Sequence, residues 1–176
     1  MSRIPAYDSE ALDSLEKVMD GIHVSVRIRP LSSAEILSGI QPCCTATSNS
    51  SLVISKVGDS GAYLKSQSGS VFNFAFDAVF DETASQTDVY NKSAKPYVVK
   101  AIQGENVTIF AYGATGAGKT HTMFGSTRFD STAAFAGAGI IPQAVADLFH
   151  LLNARIAKQE KGEPNRFLLA HNRQNL

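Results

Sequence analysis

Hydrophobic and polar positions follow two rhythms along this chain, and the switches between them predict its elements. Residues 22–28, Ile-His-Val-Ser-Val-Arg-Ile, alternate with period two and predict a half-buried strand ended by Pro30. Residues 32–70 are rich in Ser, Thr, Gly and Asn, which predicts loops and a small surface hairpin. Ser51–Ser55 (SLVIS) and residues 61–64 (GAYL) stand out in that stretch as short strands, and residues 71–76 (VFNFAF) form a further strand. Residues 77–80 then predict a turn anchored by an aromatic ring. A later β-branched and aromatic run, residues 106–112 (NVTIFAY), has strand length.

Elsewhere the apolar positions recur every three or four residues, as on one face of a helix. Leu12, Leu15, Val18 and Met19 predict a short helix over 9–19, with Asp8 or Ser9 as its cap and Gly21 as its stop; it packs on its own domain or serves as a partner-binding extension. Ser85-Gln86-Thr87-Asp88 has the form of a capping box, and Tyr90, Ala94, Tyr97, Val98, Ala101 and Ile102 supply the stripe behind it. Pro96 interrupts that stripe, so the helix begins or bends there, and Gly104 and Asn106 end it. Residues 119–124 predict a short helix, 125–139 a loop of small residues, and Pro142 the first position of a last helix whose core face is Val145, Leu148, Phe149, Leu152 and Ile156. Residues 158–166 predict a charged loop.

Composition narrows the class without naming a function. The chain has 176 residues, 44% of them hydrophobic and 18% charged, enough for one α/β domain with a core. Sixteen basic and sixteen acidic residues cancel, so no global field argues for nucleic acid or an anionic membrane. Cys43 and Cys44 are adjacent, which suits neither a loop-closing disulfide nor a spaced metal site and predicts two reduced thiols. No apolar run approaches membrane-spanning length, and the N-terminus has no apolar signal core. A soluble, intracellular protein is expected.

Candidate chemistry lies at residues 113–120, Gly-Ala-Thr-Gly-Ala-Gly-Lys-Thr, which fit the Walker A pattern G-x-x-x-x-G-K-[ST]. Gly113 leaves the preceding strand, and Gly116 and Gly118 permit backbone angles and a close approach denied to larger residues. Together with Ala114, Thr115 and Ala117 they would turn successive N–H groups toward phosphate oxygens. Lys119 would reach the β and γ phosphates, and Thr120 would offer its hydroxyl to Mg²⁺. The bland alternative is a glycine-rich turn linking a strand to a helix. A Walker B aspartate at the end of Phe74–Asp77 is rejected, because that strand usually comes after the loop and Asn73 marks a half-exposed strand. Arg27 and Arg29 share one side of the strand exit beside Pro30 and taken alone read as a solvated edge.

Several separated segments together resemble the N-terminal half of a kinesin motor domain. They are Arg27-Ile-Arg29-Pro30-Leu31; Phe76-Asp-Ala-Val-Phe80 with Ser85-Gln86 and Val89-Tyr90; residues 108–123 around the loop; and Gly139-Ile-Ile-Pro142. The resemblance covers residues 22 to 153, and the loop's Gly-Ala-Thr opening is similar to the kinesin-eight subfamily. It implies a P-loop NTPase fold with a central mixed sheet and flanking helices, and the domains 1–20 (extension), 21–166 (partial motor domain) and 167–176 (divergent tail). It also implies ATP and Mg²⁺ as cofactors, with Arg27, Arg29, Pro30 and His121 flanking adenine. The complete motor would have the microtubule as partner and a cytoplasmic, cytoskeletal location, and would convert ATP hydrolysis into movement.

The family's switch patterns, N-x-x-S-S-R-S-H and D-x-x-G-x-E, do not occur in these 176 residues. A truncated or misjoined product, or a deliberate fragment, is therefore expected, with no hydrolysis by the chain alone and with helix faces and one edge of the loop strand uncovered. A nucleotide-binding module without turnover is the alternative. A different P-loop enzyme would need a Walker B aspartate downstream, and none is present.

Overall fold

The computed structural model describes residues 21–55, 71–126 and 137–160, with side chains described to residue 157. The expected helix over 9–19, the strand at 61–64, most of the 125–139 loop, residues 161–166 and the tail 167–176 lie outside the described residues. The class is α/β, with parallel and antiparallel pairing in two separate sheets.

The smaller sheet pairs β1 (Ser25–Arg27) in parallel with β5 (Ala78–Phe80). This corrects the expected turn at 77–80. All three β5 residues are buried, and a strand covered on both faces shows no alternation for a sequence pattern to reveal. Flanking bonds extend the seam, from Ile28 N–H to Phe80 O at 2.8 Å and from Asp77 N–H to Val24 O at 3.1 Å. The Asp77 carboxylate accepts from Val24 N–H at 2.8 Å, so this acid fastens the entrance of β1.

The second sheet is antiparallel, in the order β2 (Cys44–Ala46), β3 (Ser51–Ser55), β4 (Val71–Ala75). β3 and β4 lie where the alternation predicts them; β2 is an addition to that reading. Only Leu52 of this sheet is buried among the described residues, and all of β4 is exposed. A further addition is α1 (Ser33–Leu37), a five-residue helix in the stretch read as loop. Its signal was present as Ser32-x-x-Glu35. The Ser32 hydroxyl accepts from Glu35 N–H, and the Glu35 carboxylate accepts from Ser32 N–H at 2.7 Å.

The capping box at Ser85 forms as its residue types predict, opening α2 (Gln86–Ser93). Pro96 then divides the long stripe. α2 stops, Ala94 forms the junction, and α3 (Lys95–Gln103) begins with the proline in its first turn, where its missing N–H breaks no helical bond. Gly104 closes α3 at φ 101°, a left-handed conformation that only glycine adopts readily. Beyond the glycine loop come α4 (Lys119–Phe124) and α5 (Ile140–Glu160). Because α5 starts at Ile140, Pro142 occupies its third position, still inside the first turn, and the helix opens before the proline rather than at it.

One core joins these pieces: Ala78 and Phe80 of β5, Val89 and Tyr90 of α2, Ala94, Val98 of α3 and Ile140 of α5. The Tyr90 hydroxyl donates to the Asp147 carboxylate at 2.7 Å, tying α2 to α5. The expected core face of α5 is corrected. Leu148 packs against the cluster, whereas Val145, Leu152 and Ile156 are exposed and Phe149 is 65% exposed.

The run at 106–112 is corrected as well. It forms no strand, because a strand is defined by its ladder and this run has no ladder partner among the described residues. Its period-two pattern survives: Val107, Ile109 and Ala111 turn inward, with Ile109 against the core, while Phe110 and Tyr112 point outward at 78% and 96% exposure.

Candidate functional site

The inward-turned run delivers the chain to the loop at 113–118, whose shape is set by local constraints. Ala117 N–H bonds Ala114 O at 3.1 Å, a tight turn that needs Gly116 at φ 80°, and Gly118 at φ 92° then leads into the next helix. Gly118 is also the cap of α4, where Thr122 N–H returns to its carbonyl at 2.9 Å. A methyl group on Gly113 would meet the Ala117 side chain at 3.2 Å, tighter than ordinary contact. Glycine geometry therefore sets the backbone of the loop.

Lys119 closes this cradle from the side. Its ammonium donates to Gly113 O at 2.8 Å and to Ala114 O at 2.9 Å, which spans the mouth of the loop. An ammonium has three N–H donors, so a third can serve an anion lying over the glycines. Thr120, next on α4, is exposed.

The strand exit and the loop helix meet through Arg27. Its guanidinium donates to Gln86 Oε1 at 2.8 Å, Ala84 O at 3.1 Å and Thr122 Oγ1 at 3.2 Å, joining β1, the start of α2 and α4. Burial lowers its pKa, and those three bonds compensate the lost water. Three of the five Arg27 donors are thus spent on protein acceptors. Gln86 also reaches α4, donating from Nε2 to His121 O at 2.6 Å with His121 Nδ1 at 3.3 Å. From sequence, Gln86 is part of the capping box and of the resembling segment Ser85-Gln86, with no role at the site. A long amide at the first position of a helix, on the side carrying the arginines, was the available signal.

Arg29 lies at the surface beside the cradle, its Cδ 4.0 Å from where a Gly118 side chain would begin. It pairs bidentately with Glu35 at 2.7 and 2.9 Å and also donates to Pro30 O at 2.9 Å. The Arg29 hydrogen bonds, with those from Ser32, pull the Glu35 pKa down to about 2, and Glu35 in turn raises that of Arg29. Arg27 thus meets α4 at Thr122, Gln86 joins it to His121, and Arg29 lies beside Gly118. Pro30 enters only through its carbonyl. Both cysteines are free, and burial pushes the Cys44 thiol up, away from reactivity.

The Lys119 ammonium over the glycine loop suits an anionic ligand. Among the described residues no group of three or more His, Cys, Asp or Glu could hold a metal. Among the described residues no helix is long and apolar enough to cross a membrane.

Residues 27–168 match the protein family described as the kinesin motor domain. The chain is 32% identical over 148 residues to Kinesin-like protein KIN-8A of Arabidopsis thaliana, covering 84% of this chain and 19% of that protein. It is 37% identical over 132 residues to Kinesin-like protein KIF27 of Homo sapiens, covering 75% and 8%. A solved structure titled as a fast kinesin, with implications for ATPase mechanism and interactions with microtubules, superposes with a TM-score of 0.59 at 36% identity, over 73% of this chain and 32% of that one. The chain spans less than a fifth of the length of these two curated relatives.

Proposed function

The chain belongs to the kinesin motor-domain family, and from that premise we propose that residues 113–120 hold the phosphates of Mg·ATP in the nucleotide-binding part of a microtubule motor. One observation carries this reading: Lys119 bridges Gly113 and Ala114 across a loop shaped by left-handed Gly116 and Gly118. The loop amides would bind phosphate oxygens, Lys119 would offer its ammonium to the β and γ phosphates, and Thr120 would offer its hydroxyl to Mg²⁺. Bound Mg²⁺ neutralises charge on the phosphates. His121, with Arg29 and Pro30 nearby, receives the base, and Arg27 holds that wall in place. In the complete motor the same cradle would serve ATP hydrolysis coupled to movement along microtubules in the cytoplasm.

A second reading, nucleotide binding without turnover, is favoured for this stretch by its content, since neither N-x-x-S-S-R-S-H nor D-x-x-G-x-E occurs in it. Phosphoryl transfer needs a positioned water and charge neutralisation beyond a cradle. Titration of a fluorescent ATP analogue with Mg²⁺, in the chain and in Lys119→Ala, separates the readings when phosphate release is measured with and without microtubules. Binding that weakens about tenfold or more in Lys119→Ala is expected. Equal binding by both would sink the cradle. Microtubule-stimulated release selects the motor reading, and binding without release selects the second.

A further inference from the structure

We propose that Gln86 is a positioning residue for the base pocket, locking the His121 ring into one orientation with its proton on Nε2; this rests on the reading that His121 receives the base. Gln86 opens α2, where a side chain would ordinarily lie in water, yet it is only 6% exposed. A buried primary amide must place both its ends. Its oxygen accepts from Arg27 Nη1 at 2.8 Å, and a guanidinium offers donors only, so the amide cannot be turned the other way. The –NH₂ therefore faces His121, donating to its carbonyl at 2.6 Å and lying 3.3 Å from Nδ1. Nδ1 beside a donor acts as the acceptor, which leaves the ring proton on Nε2.

The Arg27 end of this lock and the Gln86 backbone are themselves held. Arg27 has further bonds to Ala84 O, just before α2, and to Thr122 Oγ1 of α4. From the other side, the Gln143 amide of α5, also buried, donates to Gln86 O at 3.4 Å and to Ala138 O at 2.7 Å. His121 is exposed, so its ring presents a fixed face and a fixed N–H beside the loop. A ring already oriented loses less freedom when a base stacks on it, so the lock acts on base affinity and leaves the phosphate cradle alone.

The test compares the whole chain with Gln86→Leu and Gln86→Glu, reading the His121 ring by ¹⁵N NMR and measuring binding of a fluorescent ATP analogue and of inorganic tripolyphosphate. The unsubstituted chain should show protonated Nε2 and bare Nδ1. Gln86→Leu should mix the two tautomers and weaken the ATP analogue about threefold to tenfold, with tripolyphosphate unchanged. Gln86→Glu keeps an acceptor for Arg27 but can only accept from the ring, so the proton should move to Nδ1; if Gln86→Leu fails to fold, this variant decides alone. An unchanged tautomer in the folded variants, or equal losses for both ligands, would overturn the proposal. Failure of the unsubstituted chain to bind either ligand would defeat the nucleotide reading instead, and the tautomer would still decide whether Gln86 sets the ring.

Discussion

The two sides of the run before the glycine loop differ sharply in how they are covered by the described residues. On its inner side, Ile109 meets a core built from β5, α2, α3 and α5, and the Gln86 amide is hydrogen-bonded at both ends, to Arg27 and to His121. On its outer side, Phe110 and Tyr112 face outward, and Phe149 of α5 is likewise uncovered. Composition does not separate these sides, since both are rich in large apolar residues. What separates them is whether a neighbouring element is there to cover them. Burial is a property of pairs of surfaces, and among the described residues nothing covers the outer one.

Aromatic truncation on each side should expose this contrast most strongly. Phe80→Ala, at a residue 4% exposed in the core, should cost about 3–5 kcal/mol in urea unfolding, whereas Phe110→Ala should stay within about 0.5 kcal/mol. A large loss at Phe110 would mean that its side of the run is covered in solution. A smaller effect tests the seam's local support: Ser85→Ala removes the cap of α2 and should cost about 1 kcal/mol. It should also let the Asp88 pKa, held low by its bonds to Ser85, rise toward the ordinary carboxylate value in a carbon-detected titration. The smallest effect concerns α1. The folded Glu35 pKa lies below its unfolded value, so the stabilisation is present above about pH 4 and fades as pH falls through about 2. Arg29→Gln should move that midpoint upward, and an unmoved midpoint would leave the Ser32 bonds as its sole cause.

The same contrast explains how much was legible in the residues alone. Features set within a few positions were readable: the Ser85–Asp88 box, the break at Pro96, the stop at Gly104 and the loop from Gly113 to Thr120. α1 carried an equally local signal in Ser32 and Glu35, masked by the polar residues around it. β5 was not readable, because three buried residues show no rhythm and their strand character comes from pairing with β1. The run at 106–112 failed in the opposite way, showing the rhythm of a strand without a partner to make it one. At the site, the loop residues could be read from their spacing, whereas Gln86 acquires its role only when β1, α2 and α4 converge.

Parallel pairing of β1 with β5 has a consequence for the order in which the chain organises itself. Val24 and Asp77, bonded at the edge of that ladder, are 53 positions apart, and the whole β2–β3–β4 sheet lies between them. Each doubling of a closed loop adds about 0.6 kcal/mol of entropic cost, so bringing these ends together from an unstructured chain is slow. The intervening sheet shortens the journey. Once β3 and β4 have paired, Phe76 N–H reaches Ser50 O at 2.8 Å and Val79 N–H reaches Asn49 O at 2.7 Å, which fixes β5 on the folded hairpin. β1 then has a rigid edge to find, and the exposed little sheet becomes a scaffold for assembling the seam that holds Arg27 against Gln86.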